Sequence, residues 1–470
     1  MQKGNTMNTA IEKLKTSCKS DPAWSWLIAT ISTFFILPEY ISPFILFTAF
    51  IVFKRQWSKE NKKARLGTLG KIELCLMGYM LLSTLWSDTK LDTLGMSGLW
   101  FGMLLVQVMI YNLARTKERV DTILKTVVFG ASVNGLVASV QIVTYLLFKE
   151  NLISQKFVLV TPFYKTLDKI VYSSLPFEIS TKTFDDRACG FFSNPNLLAS
   201  LLVASLPIAI YLLINAKSAK NKTIYYFANI LITCGISATM SRTGCVIALA
   251  GWVLAFILLV KRSSKELISV GIPAFALLIA SVLTRYGVIF KPEVIPTVPT
   301  GLVGNLEAKQ SSAVHFEIWE SLLDYLFNNP MVFLFGSGFG CEGTGTILNT
   351  FYDLNKPHAH NFIIEIWVEI GLVGLIALLS VIIIAIKKLL EINADTKKKY
   401  SLLVCATTSL IVFLGFGITD YIFGSPKQIF IFLMIIGIIQ AIYYSYNGEN
   451  VTTLSGFKKV IKRNYKNAIK

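Results

Sequence analysis

The chain has 470 residues, 53% hydrophobic and only 16% charged, with a mean hydropathy of +0.58. A soluble domain carries about a quarter charged residues, so that class is excluded. The net charge of +17 does not point to nucleic acid, because Lys and Arg gather in short segments between apolar runs, as in cytoplasmic loops facing anionic headgroups. Seven cysteines without a CxxC pair make neither a zinc site nor a disulfide framework.

Apolar runs of 18 residues or so recur along the chain, each long enough to cross roughly 30 Å of hydrocarbon as a helix. A bilayer offers the backbone no water, so the spans must be α-helical. The expected fold is all-α: a polytopic transmembrane bundle.

Residues 1–22 form a polar tail expected to be cytoplasmic, with four lysines (Lys3, Lys13, Lys15, Lys19). No small-residue cleavage site follows, so the first apolar region reads as a retained anchor. That region, Ala23 to Phe53, is interrupted by "LPEYISP" and followed by "KRQWSKENKKARLGTLGK" with seven basic residues. Basic flanks on both sides imply two short crossings. Further spans are expected near 72–86, 94–113, 125–148, 197–215, 223–240, 244–260, 267–289, 362–386, 401–418 and 428–446. That makes twelve, with both ends inside and a basic cytoplasmic tail over 447–470.

Two outer segments are long, 149–196 and 290–361. Loops of such length are commonly functional. The second holds "SSAVHFEIWESLLDYLFNNP", whose apolar and acidic residues alternate at helical spacing. It reads as an amphipathic helix on the membrane surface or capping the bundle, ended by Pro330 and the turn "FGSGFG". No long internal repeat supports an inverted-repeat transporter.

The three histidines, His315, His358 and His360, all fall in or at the exit of this loop. His360 suits a helix cap, and equally a general base, since an imidazole titrates near pH 6.5. His358 and His360 can reach one metal ion, but no third ligand is obvious. Arg187 and Arg242 lie on the outer face beside helix ends, where an anionic headgroup sits; ion pairing to Asp185 or Asp186 and interfacial anchoring are the plainer readings. Asn194 and Asn196 flank Pro195 at a helix start, where Asn196 reads as an N-cap or as a hydrogen-bond partner of phosphate or sugar. Glu365 and Glu369 share a helix face, Glu369 about 12 Å below Asn361. Carboxylates in a membrane are costly, and a partner inside the bundle is the plainer account.

Four blocks in order carry a resemblance. His360-Asn361, nine residues, Gly371, two residues and Gly374 resemble the H-(N/S/Q)-x9-G-x2-G pattern of the bacterial O-antigen ligase and polymerase family. "RACGFFSNPNLLAS" from Arg187, "SRTG" from Ser241 and the loop helix with its Gly-rich turn resemble that family's other blocks. The resemblance implies a GT-C-like glycosyltransferase of the bacterial cytoplasmic (inner) membrane, acting on the outer face; no P-loop, Rossmann fingerprint or acidic metal motif such as DxD is visible, so transfer without cofactor or metal is expected. Its donor would be a glycan on undecaprenyl diphosphate and its acceptor a glycan or lipid-linked hydroxyl. His360 would be the catalytic base; Arg187, Arg242 and His315 would hold the diphosphate; Asn194, Asn196, Asn361, Glu369, Gly371 and Gly374 would support them. Two positions depart: His315 stands where the family usually has arginine, a role Arg285 is also placed to fill, and Leu375 where threonine is common. Polymerisation of repeat units into O-antigen or capsule is the leading expectation, ligation of a finished chain the close alternative. A flippase for the same lipid-linked sugars is the alternative of another class.

Overall fold

A computed structural model describes residues 21–37, 42–148, 187–285, 300–392 and 396–447, and no strand occurs among them. The first four helices are α1 (Pro22–Phe34), α2 (Ser42–Lys59), α3 (Gly67–Ser83) and α4 (Lys90–Leu113). Then come α5 (Lys117–Phe148), α6 (Pro195–Ile214), α7 (Ala219–Ala238) and α8 (Arg242–Arg285). A smaller helical unit follows, α9 (Thr300–Asn328), α10 (Pro330–Phe335) and α11 (Cys341–Tyr352), and the chain returns through α12 (Phe362–Leu390), α13 (Lys397–Gly417) and α14 (Pro426–Asn447).

Seven of these helices are long and apolar enough to cross a membrane: α4, α5, α6, the first limb of α8, α12, α13 and α14. The multi-pass helical architecture therefore stands, while length and composition do not confirm five of the twelve expected spans. Those five are α1, α2, α3, α7 and the shorter apolar stretch Leu267–Leu283. α1 has only 13 residues, α2 gives its last turns to Lys54, Arg55 and Lys59, and α7 begins on Lys220 and Lys222.

The helical run α8 turns back on itself, as two expected spans require. A Cβ at Gly271 would stand 3.7 Å from the Trp252 ring. A straight helix would separate these residues by about 28 Å.

Apolar all round, α6 sits at the centre with nearly every residue buried, and most of α14 joins it. Around them α5 packs on α7, α4 on α14 and α6 on α13. α5 and α7 approach so closely that a Cβ at Gly135 would be 2.2 Å from the Leu231 carbonyl oxygen, so only a side chain of hydrogen fits there. α9 lays Ile318, Leu322 and Leu326 against Leu348 and Val368, forming a second apolar core apart from the first. The expected amphipathic loop helix is thus present as the second half of α9.

Candidate active site

One wall of the site is the loop from Arg187 to Asn194. Its backbone lies within the bundle, where unpaired polar groups are expensive, and buried side chains pair them. Gln141 of α5 accepts hydrogen bonds from the Cys189 and Gly190 amides at 3.1 and 2.8 Å. Asn134 accepts from the Phe191 amide at 3.1 Å. The Lys427 ammonium, 1% exposed, donates to the Phe191 carbonyl at 2.8 Å and lies 3.9 Å from the Phe192 ring centre. Arg187 itself donates to the Thr239 carbonyl at 2.9 Å and to Asn196 Oδ1 at 2.8 Å.

The N-cap of α6 is Asn194, not Asn196: Asn194 accepts from the Asn196 amide at 2.8 Å. Proline at the first helical position has no amide to satisfy, so the cap falls on the residue before it. Asn196 is thereby left to hold Arg187. Asp185 and Asp186, the expected partners of Arg187, lie outside the described residues.

The opposite wall is the turn into α12. Asn361 caps that helix, accepting from the Ile363 and Ile364 amides at 2.9 and 3.3 Å. Ahead of it His360 takes a left-handed backbone, φ 50°, uncommon for a residue with a side chain. The Glu365 carboxylate accepts from the Ala359 amide, and Trp319 of α9 donates its indole N–H to the Ala359 carbonyl at 2.8 Å. His360 is sandwiched: His315 stacks on it at 4.6 Å between ring centres, and His358 meets it edge-on at 4.1 Å. Its Nδ1 lies 3.6 Å from Asp420 in the turn between α13 and α14, the distance of an ion pair once the ring is protonated.

Between the walls lies a cavity of about 590 Å³, lined by Arg187, Asn196, Arg242, His315 and His360 together with Lys356 and Asp420. Met240, at φ 51°, is a second left-handed residue on its lining. Asn194, Asn361, Glu369, Gly371 and Gly374 do not line it. Glu369 is buried and accepts the Tyr421 hydroxyl at 2.8 and 2.9 Å. Gly371, at φ 65°, breaks α12, and a Cβ there would lie 2.3 Å from the Leu334 carbonyl oxygen. Gly374 packs under the Ile370 side chain. These five build the site's frame.

Charge within the cavity is uneven. Burial, helped by His360, Arg242 and Lys356, outweighs Asp420 and holds His315 below the usual imidazole range, so it is neutral at pH 7. Burial and His360 push His358 down to about 4. Burial alone would raise Asp420, but His360 at 3.6 Å and the nearby His358 hold it below the carboxylate range. Lys356 and Asp420 escaped the sequence reading, being single residues without a motif; Asp420 is legible only as the acid in the short turn "GITDYIFGSP".

His358, His360 and Asp420 also bring ligand atoms within 4.8 Å of one another, and Asp420 is the third ligand the sequence did not reveal. However, the His358 Nδ1 already accepts the His360 amide at 3.2 Å, which leaves its proton on Nε2. A metal would have to break that bond or displace that proton, so the arrangement fits a hydrogen-bonded cluster better than a ligand set.

Comparison with known proteins supplies a family. Residues 227–379 match the O-antigen ligase family, so the chain carries that family's segment. The match takes in the Ser241 turn, the loop helix and the His360 motif, while the Arg187 loop lies ahead of it. No curated protein matches the chain.

Proposed function

On the premise of that O-antigen ligase segment, we propose that this chain transfers a glycan from undecaprenyl diphosphate to an acceptor hydroxyl at the outer face of the bacterial cytoplasmic membrane, in O-antigen or capsule synthesis. The observation that carries the reading is one cavity with Arg187, Arg242 and Lys356 along its lining and the His360–Asp420 pair beside them.

The acceptor O–H gives its proton to His360 as its oxygen bonds to the anomeric carbon. The bond from that carbon to the diphosphate oxygen breaks, and the diphosphate leaves with the electron pair. Fixed cations stabilise the charge that develops there, and arginine adds a two-pronged geometry. Arg187 is preset for this by Thr239 and Asn196. Asp420 stabilises the imidazolium that His360 becomes. His315 is a neutral stacking partner, so the charge the resemblance assigned to it passes to Lys356.

The tautomer of His358 supports transfer without metal, and activity is expected to survive EDTA. A flippase reading is separated by turnover of the purified protein with no energy source. Joining of repeat units is the first reading; the family's description as a ligase favours transfer of a finished chain as the second. The test is to delete the gene and weigh the undecaprenyl-diphosphate-linked glycans that accumulate. Single repeat units mean a polymerase, long chains still on the carrier mean a ligase, and no accumulation sinks the reading.

A further inference from the structure

We propose that α10 is inserted among acyl chains at the outer edge of the bilayer, anchoring the α9–α11 unit beside the cavity. This surface is separate from the transfer chemistry and stands or falls without it.

α10 reads "PMVFLF", and not one of its residues is buried. Met331 is 70% exposed, and Leu334 and Phe335 are near 40%. A short helix of uniformly apolar residues has no reason to face water, and contiguous apolar surface marks a contact.

The backbone says which contact. Three carbonyls here go to aromatic donors: Phe333 to the Trp367 indole at 3.1 Å, Phe335 to the Tyr79 hydroxyl at 2.9 Å, Gly336 to the Trp86 indole at 3.1 Å. Three successive amides are matched as well: Ser337 to the Val368 carbonyl at 2.8 Å, Gly338 to the Glu369 carbonyl at 3.0 Å, and Phe339 to Ser83 Oγ at 3.2 Å. The three amides sit in a turn that is largely buried, where pairing is expected on either side of the boundary. Phe335 is exposed, however, and a carbonyl there that faced water could be left to solvent, whereas one in lipid needs a protein partner. Tyr and Trp, with an apolar body and a polar tip, are the side chains found at that boundary.

Depth agrees. The Leu334 carbonyl sits on Gly371, where α12 breaks. From Gly371 to the helix end at Leu390 are 20 residues, about 30 Å, the thickness of the hydrocarbon. Gly371 therefore marks the outer edge of the apolar layer, and α10 lies at its level. Exposed Leu82, Leu85 and Trp86 at the outer end of α3, and Val373 and Ile376 of α12 below the break, carry the same apolar surface. The occupant is thus the outer leaflet that already bathes those two helices.

The test uses the full chain in its membrane, with photoreactive p-benzoylphenylalanine in place of Met331 or, separately, Leu334. Leu82 serves as the lipid-side control and Glu320 as the water-side control. After irradiation, mass spectrometry should find phospholipid adducts at 331, 334 and 82 and none at 320. Lipid adducts at 82 with none at 331 and 334 would overturn the proposal. Crosslinks at 331 to a second copy of this chain would also overturn it, replacing the bilayer with a dimer partner.

Discussion

The two loops that meet at the cavity are held in opposite ways. The arginine loop is fixed from outside itself, by Gln141 and Asn134 of α5, Lys427 of α14 and the end of α7. The histidine loop is fixed largely by its own helix, through the Asn361 cap and Glu365, with one indole bond from α9. On the proposed reading, one is clamped where charge is to be stabilised without moving, and the other sits at a left-handed residue, His360, that is to exchange a proton. The contrast teaches that a binding loop and a reacting loop need different supports. Binding charge profits from rigidity, since donors set in advance cost no reorganisation. A base needs a partner for its charged state, which Asp420 supplies at 3.6 Å.

The sharpest break comes from His360→Ala. It should lower the transfer rate roughly 10²- to 10⁴-fold, the range for loss of a general base, in steady-state assays on protein that still elutes as a folded species. Next in size is Arg187→Ala, expected to cost on the order of 10²-fold. Arg187→Lys should recover only part of it, because the fork that spans Thr239 and Asn196 is lost.

A smaller effect should follow Gln141→Leu, which leaves the Cys189 and Gly190 amides buried without their acceptor. Each such amide costs about 1–3 kcal/mol. Donor binding should weaken while the transfer rate at saturating donor stays put, and an equal loss in that rate would contradict the separation of the loops.

The smallest effect concerns acid. His358 is held near 4 in the fold against about 6.5 in the unfolded chain. The unfolded state binds the extra proton, so stability is full above about pH 6.5 and falls as pH drops toward 4. Thermal unfolding of His358→Asn should show less of this acid loss than the wild type; identical pH dependence would remove His358 from the account.

Much of the site was legible because its residues are rare or out of place in an apolar chain. Three histidines in 470 residues, and arginines beside outer helix ends, draw attention by scarcity, and Arg187, Arg242, His315 and His360 do share one cavity. What was not legible depends on contacts between distant segments. Asp420 and Lys427 carry no spacing signal, and Gln141 looks like any polar residue inside a span. The His315 charge state follows from burial and neighbours, which a sequence does not display. The twelve-span count is confirmed for seven helices only, because hydropathy reads a run of residues, while the length of α1, α2, α3 and α7 depends on where helix and turn begin. The Asn196 cap missed by two residues, since Pro195 moves the helix start outward.

The most direct measurement reads both loops in one preparation: purified full chain in liposomes with an undecaprenyl-diphosphate-linked glycan, scored for donor binding and for transfer. The account predicts that Arg187→Ala loses both, whereas His360→Ala binds donor as the wild type does and transfers nothing measurable. A folded His360→Ala protein that transfers at the wild-type rate would contradict it.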